Sequence, residues 1–472
     1  MSIRRHTVIL GVLVVAFAAE TFSLPVRAQA PAEAETSPKP PPEDAAARGL
    51  RSLYVPGGLT ADRAVREVIE TSPALDRTEA LLEEAKGGAL QAMSALVPQL
   101  ELQGRYTRLS PVDNPSFEIP GIGTLSFPSL TEQTATDATL AYSFTRSLAE
   151  AMPAYRAAKK SKEAAQYQIE AELNDVAFDG RQTYYEYARA EATLAVANFA
   201  LEAAVSQRKE TEALVGAGSA ARVDLMRVQA QEAAAEVAVE QAKLGVQVAA
   251  RALQTLMHSD ELPALGEDLS EEVTGVPTEP EDALLEQAYE NRPDLRALLT
   301  YIDVTEHQLK SAKGSGVPDV LARGSVQYSN PNLRVVPQRR RFESTWEVSA
   351  VIRWTPNATV AASGRAHEIR AALQQAEADT QLLRDAIRVE VAQGYHGMLA
   401  ARSAIESARL GLEAAREGYR VTREQLQAGI VNTTTLLQAQ AELIRAQVDV
   451  VDSAIGIRIA KAQLLRAIGE RP

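Results

Sequence analysis

The sequence predicts a mainly α-helical chain with membrane β-strands, internally duplicated, in which each half carries a pair of strands and a long helical hairpin. Three observations predict it. First, the chain repeats itself. Residues 60–100 return as 280–320 at a single offset of 220 positions, so that Pro73 matches Pro293, Leu75 matches Leu295 and Val97-Pro98 matches Val317-Pro318. A second block, Ala217-Gly218 with Leu225, Gln229-Ala230 and Leu253, returns at an offset of 211 as Ala428-Gly429 with Leu436, Gln440-Ala441 and Leu464. Copies of about two hundred residues are too long for a solenoid unit and read as two halves of one body. Second, each half holds two segments that alternate polar and apolar residues. Third, each strand pair is followed by a stretch of about 65 residues without a helix breaker, which as one helix runs roughly 100 Å.

The elements follow in order from the N-terminus. Arg4 and Arg5 precede an apolar run over 8–19 that is too short to span a bilayer comfortably, and small residues follow. This predicts a signal peptide over 1–28, cut after Val26-Arg27-Ala28. Residues 29–55 are Pro-rich and hold too little apolar surface to repay ordering, so they read as a linker. The body is 56–472, with repeat one over about 57–258, a linker over 259–279, and repeat two over about 280–469.

In repeat one, Thr60 or Asp62 is placed to cap a helix that runs to about Leu96 and is divided at Pro73. A strand is predicted over 99–108, with Leu100, Leu102 and Tyr106 on one face and Gln99, Glu101, Gln103, Arg105 and Thr107 on the other. Residues 109–135, with Pro111, Pro115, Pro120 and Pro128, read as an irregular loop. A second strand is predicted over 136–146, with Ala138, Leu140, Tyr142 and Phe144 on one face. Repeat two does the same. Val320, Ala322, Gly324, Val326 and Tyr328 alternate with Leu321, Arg323, Ser325 and Gln327, and Trp346, Val348, Ala350, Ile352 and Trp354 alternate with Thr345, Glu347, Ser349, Val351 and Arg353. Strands of about ten residues suit a tilted crossing of an outer membrane. Tyr106, Tyr142, Phe144, Tyr328, Trp346 and Trp354 are then the lipid-facing aromatics. Alternation alone equally fits a soluble sheet with one face on a core.

The helices tip the balance. Predicted over about 149–214 and 360–428, they carry Leu382, Ile387, Val389, Val391 and Leu399 amid solvated charges, the pattern of a coiled coil. Each ends in a glycine turn, Gly216-Ala217-Gly218 or Ala428-Gly429, and a return helix follows over 221–258 or 433–468. The strand-to-helix boundaries are read at 145–153 and 355–364.

Composition excludes several functions. There is no cysteine, hence no disulfide framework, thiolate metal site or lipid-bearing cysteine. The formal charge of −13 argues against nucleic-acid binding. The histidines, His6, His258, His307, His367 and His396, are scattered without ligand spacing, and no Gly-rich phosphate loop or nucleophile elbow occurs. The sequence therefore implies no enzyme, no cofactor and no metal site. Gly314-Ser315-Gly316 reads as the flexible end of a helix, and Arg339-Arg340-Arg341 as an exposed turn or a contact to lipopolysaccharide phosphates.

Asn291-Arg292-Pro293-Asp294-Leu295, the prolines Pro98 and Pro318 that open the strands, Trp354-Thr355-Pro356 before Gly364-Arg365, and Leu426-Gln427-Ala428-Gly429 together resemble the outer-membrane factor (TolC-like outer membrane efflux protein) family over about 56–470. The resemblance implies a homotrimer in the outer membrane of a Gram-negative bacterium. Each chain gives strands to a shared β-barrel, continued by a coiled-coil tunnel through the periplasm. It implies conduction, with Glu101, Arg105, Arg323, Glu347 and Arg353 facing a wet lumen. The partners implied are outer-membrane lipid, a periplasmic adaptor (membrane fusion protein) and an inner-membrane transporter, serving tripartite efflux or type I secretion. The hairpin turns imply a periplasmic tip and gate at Gly216, Gly218, Asp224, Gly429, Val431, Thr435 and Gln438. Thr435 and Gln438 stand where the family pattern has aspartates, and Val431 where it has an arginine; the expected substitute is a bond from Asp224 to Thr433 or Thr434 across the closed entrance. The competing reading is a soluble periplasmic coiled-coil adaptor or scaffold.

Overall fold

The computed structural model describes residues 54–112, 117–121, 123–125, 131–274, 279–336 and 339–472. The predicted signal peptide, its cleavage site, the linker up to residue 53, and Pro115 and Pro128 of the first loop lie outside these residues.

Thr60 caps α1 (Ala61–Thr71), its Oγ1 accepting the Arg63 N–H at 3.3 Å. Pro73 starts α2 (Pro73–Ser94) and holds Ser72 before it in extended backbone, φ −74° and ψ 113°. Repeat two makes the same break. Below, α5 (Glu281–Asn291) and α6 (Pro293–Gly314) flank Arg292, φ −64° and ψ 119°.

The strands are β1 (Gln99–Arg108), β4 (Glu132–Ser143), β5 (Asp319–Asn330) and β6 (Glu343–Arg353), and they form one antiparallel sheet in that order. The first loop is not wholly irregular: β2 (Phe117–Ile119) pairs with β3 (Gly123–Leu125). Strand β4 starts earlier than predicted because Glu132–Ala135 pair with Arg108–Arg105 of β1. It also ends earlier. The Ser143 hydroxyl accepts the Arg146 N–H at 3.2 Å and caps a helical turn, Phe144–Arg146, that runs into a π-helical stretch, Ser147–Ala151. Phe144 is therefore not a strand residue; its ring stands edge-on to Tyr142, 4.9 Å between centroids. Trp354 also falls just past its strand, where Nε1 donates to Thr359 Oγ1 at 3.3 Å.

The long helices are α3 (Met152–Gly216) and α7 (Pro356–Gln427), of 65 and 72 residues, returned by α4 (Arg222–Met257) and α8 (Thr433–Ala467). The second crossover is sharper than expected. Helix α7 begins at Pro356, whose fixed φ suits a first helical turn, so 356–364 is helix and not connector. The expected coiled-coil stripe divides in two. Ile387 and Val391 are fully buried against α8, while Leu382, Val389 and Leu399 are exposed on the single chain. The stripe that packs is Ala376, Thr380, Ile387, Val391, Gly394 and Met398, at successive spacings of four, seven, four, three and four.

Two cores repeat the duplication. Tyr184, Leu253 and Val68 centre the first, Ile387, Leu464 and Leu295 the second, and the matched pair Leu253 and Leu464 are 0% and 1% exposed. The linker after repeat one is strapped into place. Leu59 donates to Ala264 and accepts from Gly266, each at 2.7 Å, while buried Arg458 of α8 donates to Glu271 O at 3.0 Å. The Asn-Arg-Pro-Asp-Leu motif works as a clasp. Arg292 pairs with Asp294 and Glu390 and donates to Ala467 O at 3.4 Å, joining α5, α6, α7 and the end of α8. Burial opposes that charge, but the two carboxylates outweigh it and raise the Arg292 pKa further.

Gly314 is not a flexible helix end. A Cβ there would lie 1.8 Å from the carbonyl oxygen of Ala149, so α6 and the π-helical stretch cross where no side chain fits. Ser311 Oγ donates to Glu150 O beside it, at 3.0 Å. We expect Gly314→Ala to cost about 1–3 kcal/mol as an overpacked contact, whereas Gly88→Ala, with open space at the Cβ position, is neutral or better. Thermal unfolding of the two variants by circular dichroism reads the difference.

Candidate functional site

The sheet segregates its two faces completely because every pairing in its register joins residues of equal parity. One row runs Leu102, Ala138, Val326, Trp346; another runs Leu100, Leu140, Gly324, Val348. The opposite face carries Glu101, Thr139, Ser325 and Glu347 in one row, Arg105, Ala135, Ser329 and Glu343 in another, and Gln99, Ala141, Arg323 and Ser349 in a third. All predicted polar strand residues fall on that second face, with Arg353 beside Asp319 at the helix end. Asp137, paired with Gln103 and Gln327, joins them and was not singled out from the sequence. Glu347 is engaged by Arg334, which reaches in from the β5–β6 loop.

Among the described residues no core covers the apolar face. Leu102, Trp346 and Ile352 are 72%, 74% and 75% exposed on the single chain. A soluble sheet with one face on a core would bury these side chains. Of the predicted aromatics, Tyr106, Tyr142, Tyr328 and Trp346 lie on this face in strands; Tyr328 stacks on Phe342 at 5.0 Å. Phe144 and Trp354 sit just beyond the strands, at the helix end of the same sheet. Within the sheet, β1 and β6 each pair on one side only.

At the far end of the hairpins the two glycine turns are the same structure twice. Gly218 and Gly429 have φ of +77° and +72°. Ser219 N–H donates back to Leu214 O at 2.8 Å and Ile430 N–H to Gln425 O at 2.9 Å, while each glycine N–H bonds three residues back at 3.0 Å. This paired closure of a helix end needs a left-handed residue. Gly216 does not share that role; it is the last helical residue of α3.

Asp224 lies in the first turn of α4, where a carboxylate suits the helix dipole. It does not bond Thr433 or Thr434 itself. Arg227 connects them: Nη1 donates to Asp224 Oδ1 at 3.3 Å and to Thr434 Oγ1 at 3.2 Å, tying the start of α4 to the start of α8. Asn432 caps α8 by accepting the N–H and hydroxyl of Thr435, at 3.0 and 3.1 Å. Thr435 is thus part of a helix cap. Val431 is half-buried in the turn and Gln438 is exposed on α8. The sequence reading missed Arg227 and Asn432. An Asn before a Thr run is a helix-start signal and was there to be read; the reach of Arg227 across to α8 was not.

Among the described residues the histidines stand apart from one another. His396 meets Glu281 at 3.2 Å, His367 meets Arg370, and His258 ends α4 at a φ of 50°. Among the described residues no cluster of metal-ligating side chains occurs.

Comparison places this architecture. Residues 64–258 and 284–470 match the family model of the outer membrane efflux protein. No curated protein matches the sequence. Among solved structures, the chain is similar to the Campylobacter jejuni CmeC outer membrane channel, at 16% identity and a TM-score of 0.75 over 87% of this chain and 85% of that one. It is similar to the outer membrane protein VceC of Vibrio cholerae, at 18% identity and 0.71 over 87% and 96%. The open state of the Neisseria gonorrhoeae MtrE outer membrane channel gives 17% and 0.68 over 87% and 89%. The chain belongs to the outer membrane efflux protein family. It is an outer-membrane efflux channel protein and not an enzyme.

Two outcomes follow. At mid-sheet, Val348→Arg places a charge in lipid and costs about 2–4 kcal/mol, whereas Ser349→Arg on the opposite face costs little; denaturant unfolding in lipid vesicles separates them. Gly218→Ala and Gly429→Ala each cost about 1–2 kcal/mol through the left-handed backbone, while Gly216→Ala gains a few tenths, read as melting temperatures.

Proposed function

We propose that three copies of this chain close a β-barrel in the outer membrane and extend a helical tunnel into the periplasm. The tunnel accepts substrate from an inner-membrane transporter through a periplasmic adaptor, as in tripartite efflux or type I secretion. The observation that carries this reading is the sheet: one face bare and apolar, the other polar, and both outer strands unpaired along one edge. Unpaired backbone in lipid costs several kcal/mol per group, so the edges require partners, and identical copies supply β6 to β1 around a ring. The polar face with Glu101, Arg105, Arg323, Glu347 and Arg353 then lines the conduit.

In this reading the hairpin turns form the entrance. Arg227, Asp224 and Thr434 hold the two hairpins of one protomer together there, and the exposed Val223, Met226 and Ile430 beside them offer the adaptor an apolar surface. A soluble periplasmic scaffold accounts for the hairpins but has no use for a bare apolar sheet.

Light scattering on detergent-solubilised protein from washed outer membranes should give a stable trimer; a monomer or dimer in the soluble periplasm sinks the proposal. In planar bilayers, Arg227→Ala should raise the open probability of the resting channel several-fold while leaving the trimer intact, and an unchanged closed conductance removes Arg227 from the gate.

A further inference from the structure

Where the sheet meets the helices, the sign of the charge inverts. The chain as a whole carries −13, yet 144–162 holds five Lys or Arg against Glu150 alone. Residues 307–316 and 354–370 add four more against Glu368 alone. The fold brings these three segments to one level. Gly314 lies on Ala149, Ser311 bonds Glu150 O at 3.0 Å, and Thr359 Oγ1 donates to Gly316 O at 2.9 Å.

At this junction Phe144, Leu148, Trp354 and Val360 are exposed, an apolar collar at the helix-side ends of the strands. Arg146, Lys313 and Arg365 follow within about two helical turns of it, and Lys310 and Arg156 within one turn more, at about 1.5 Å per residue. Lys313, Arg365 and Arg156 are exposed and have no ion pair among the described residues; Arg146 and Lys310 meet Glu150 and Glu306 at 3.1 and 3.6 Å. His307, on the same helix, is held below its usual pKa by burial and then by Lys310 and Arg156, against weaker opposition from Asp303 and Glu306.

We propose that this basic collar binds the headgroups of acidic phospholipids in the periplasmic leaflet of the outer membrane. The apolar side chains set the lipid boundary, and the Lys and Arg stems extend back toward it with their charges among the phosphates. A polybasic surface against an anionic leaflet is attracted by about 1 kcal/mol per cation near the surface. Lipopolysaccharide is excluded by position, because the collar lies at the helix-side ends of the strands, away from Arg108, Glu132, Asn330 and Glu343 at their other ends. The inference needs the sheet in the outer membrane, which family membership shows, and needs neither the adaptor nor the transporter.

The test uses the full-length protein, delipidated in mild detergent and titrated with phosphatidylglycerol, phosphatidylcholine, lipopolysaccharide or inorganic phosphate, with melting temperature and bound lipid as readouts. Phosphatidylglycerol alone should raise the melting temperature. The triple variant Arg156→Gln, Lys313→Gln, Arg365→Gln should bind it about tenfold more weakly or worse. Equal stabilisation by phosphatidylcholine or lipopolysaccharide, or an unchanged affinity of the triple variant, overturns the proposal. Displacement of the lipid by millimolar phosphate alone replaces it with a free-anion site. If the triple variant fails to assemble, the wild type still decides. A phosphatidylglycerol effect abolished at about 1 M salt, where screening acts within a few ångströms, supports the collar, and one indifferent to salt overturns it.

Discussion

Backbone hydrogen bonding in a medium without water is the constraint on which the other features of this protein depend. A strand in lipid must have a partner on each side, because an unpaired N–H or C=O there has nothing to bond. Four strands in a row satisfy this at three junctions and leave β1 and β6 open. The parity of the register does the rest. Because every rung joins even to even or odd to odd, a single choice of which face meets lipid decides the environment of each strand residue. A slip of one residue in a strand would carry apolar residues such as Leu100, Val326 or Trp346 into the polar face and a charged residue into lipid.

The helices inherit a different problem, that of joining a sheet without a globular core between. The joint is made of small residues and backbone contacts. Gly314 lies against Ala149, Thr145 Oγ1 accepts the Val320 N–H at 2.9 Å, and Ser143 bonds Asp319. Nearer the middle of the hairpins, the ends of α4 and α8 return to the Pro73 and Pro293 breaks. In repeat two, the matched Arg292 clasps four elements; in repeat one Ser72 stands in its place, and Thr71 Oγ1 instead donates to Met257 O at 3.2 Å. Duplication has kept the geometry of the joint while exchanging an ionic clasp for a single hydroxyl.

Charge is distributed by the same logic. Carboxylates dominate the chain, yet cations gather at the strand-to-helix level. At the tips, a single arginine bridges two hairpins whose glycine turns close in the same way. The tip is where helices are least supported by neighbours, so a few bonds there have leverage on how the hairpins sit. Along the helices, exposed pairs three or four residues apart, such as Lys243 with Glu240 and Arg420 with Glu417, contribute little.

Much of this was legible in the sequence because it is local or periodic. The duplication, the break at Pro73, the extent of β1, the parity of all four strands and the two glycine turns follow from repeat spacing, period-two alternation and backbone chemistry. Phe144 and Trp354 marked the limit. Alternation continues through them on paper, but Ser143 caps a helical turn and Pro356 starts one, so both leave the sheet. What only the tertiary structure decided involves residues far apart in sequence: Gly314 against Ala149, Arg227 against Thr434, Arg292 against Glu390, and the division of the helix stripe into buried Ile387 and bare Leu382. No periodicity carries these, because each depends on which helices become neighbours. That choice is made by packing across the whole chain and not by any residue's own preference.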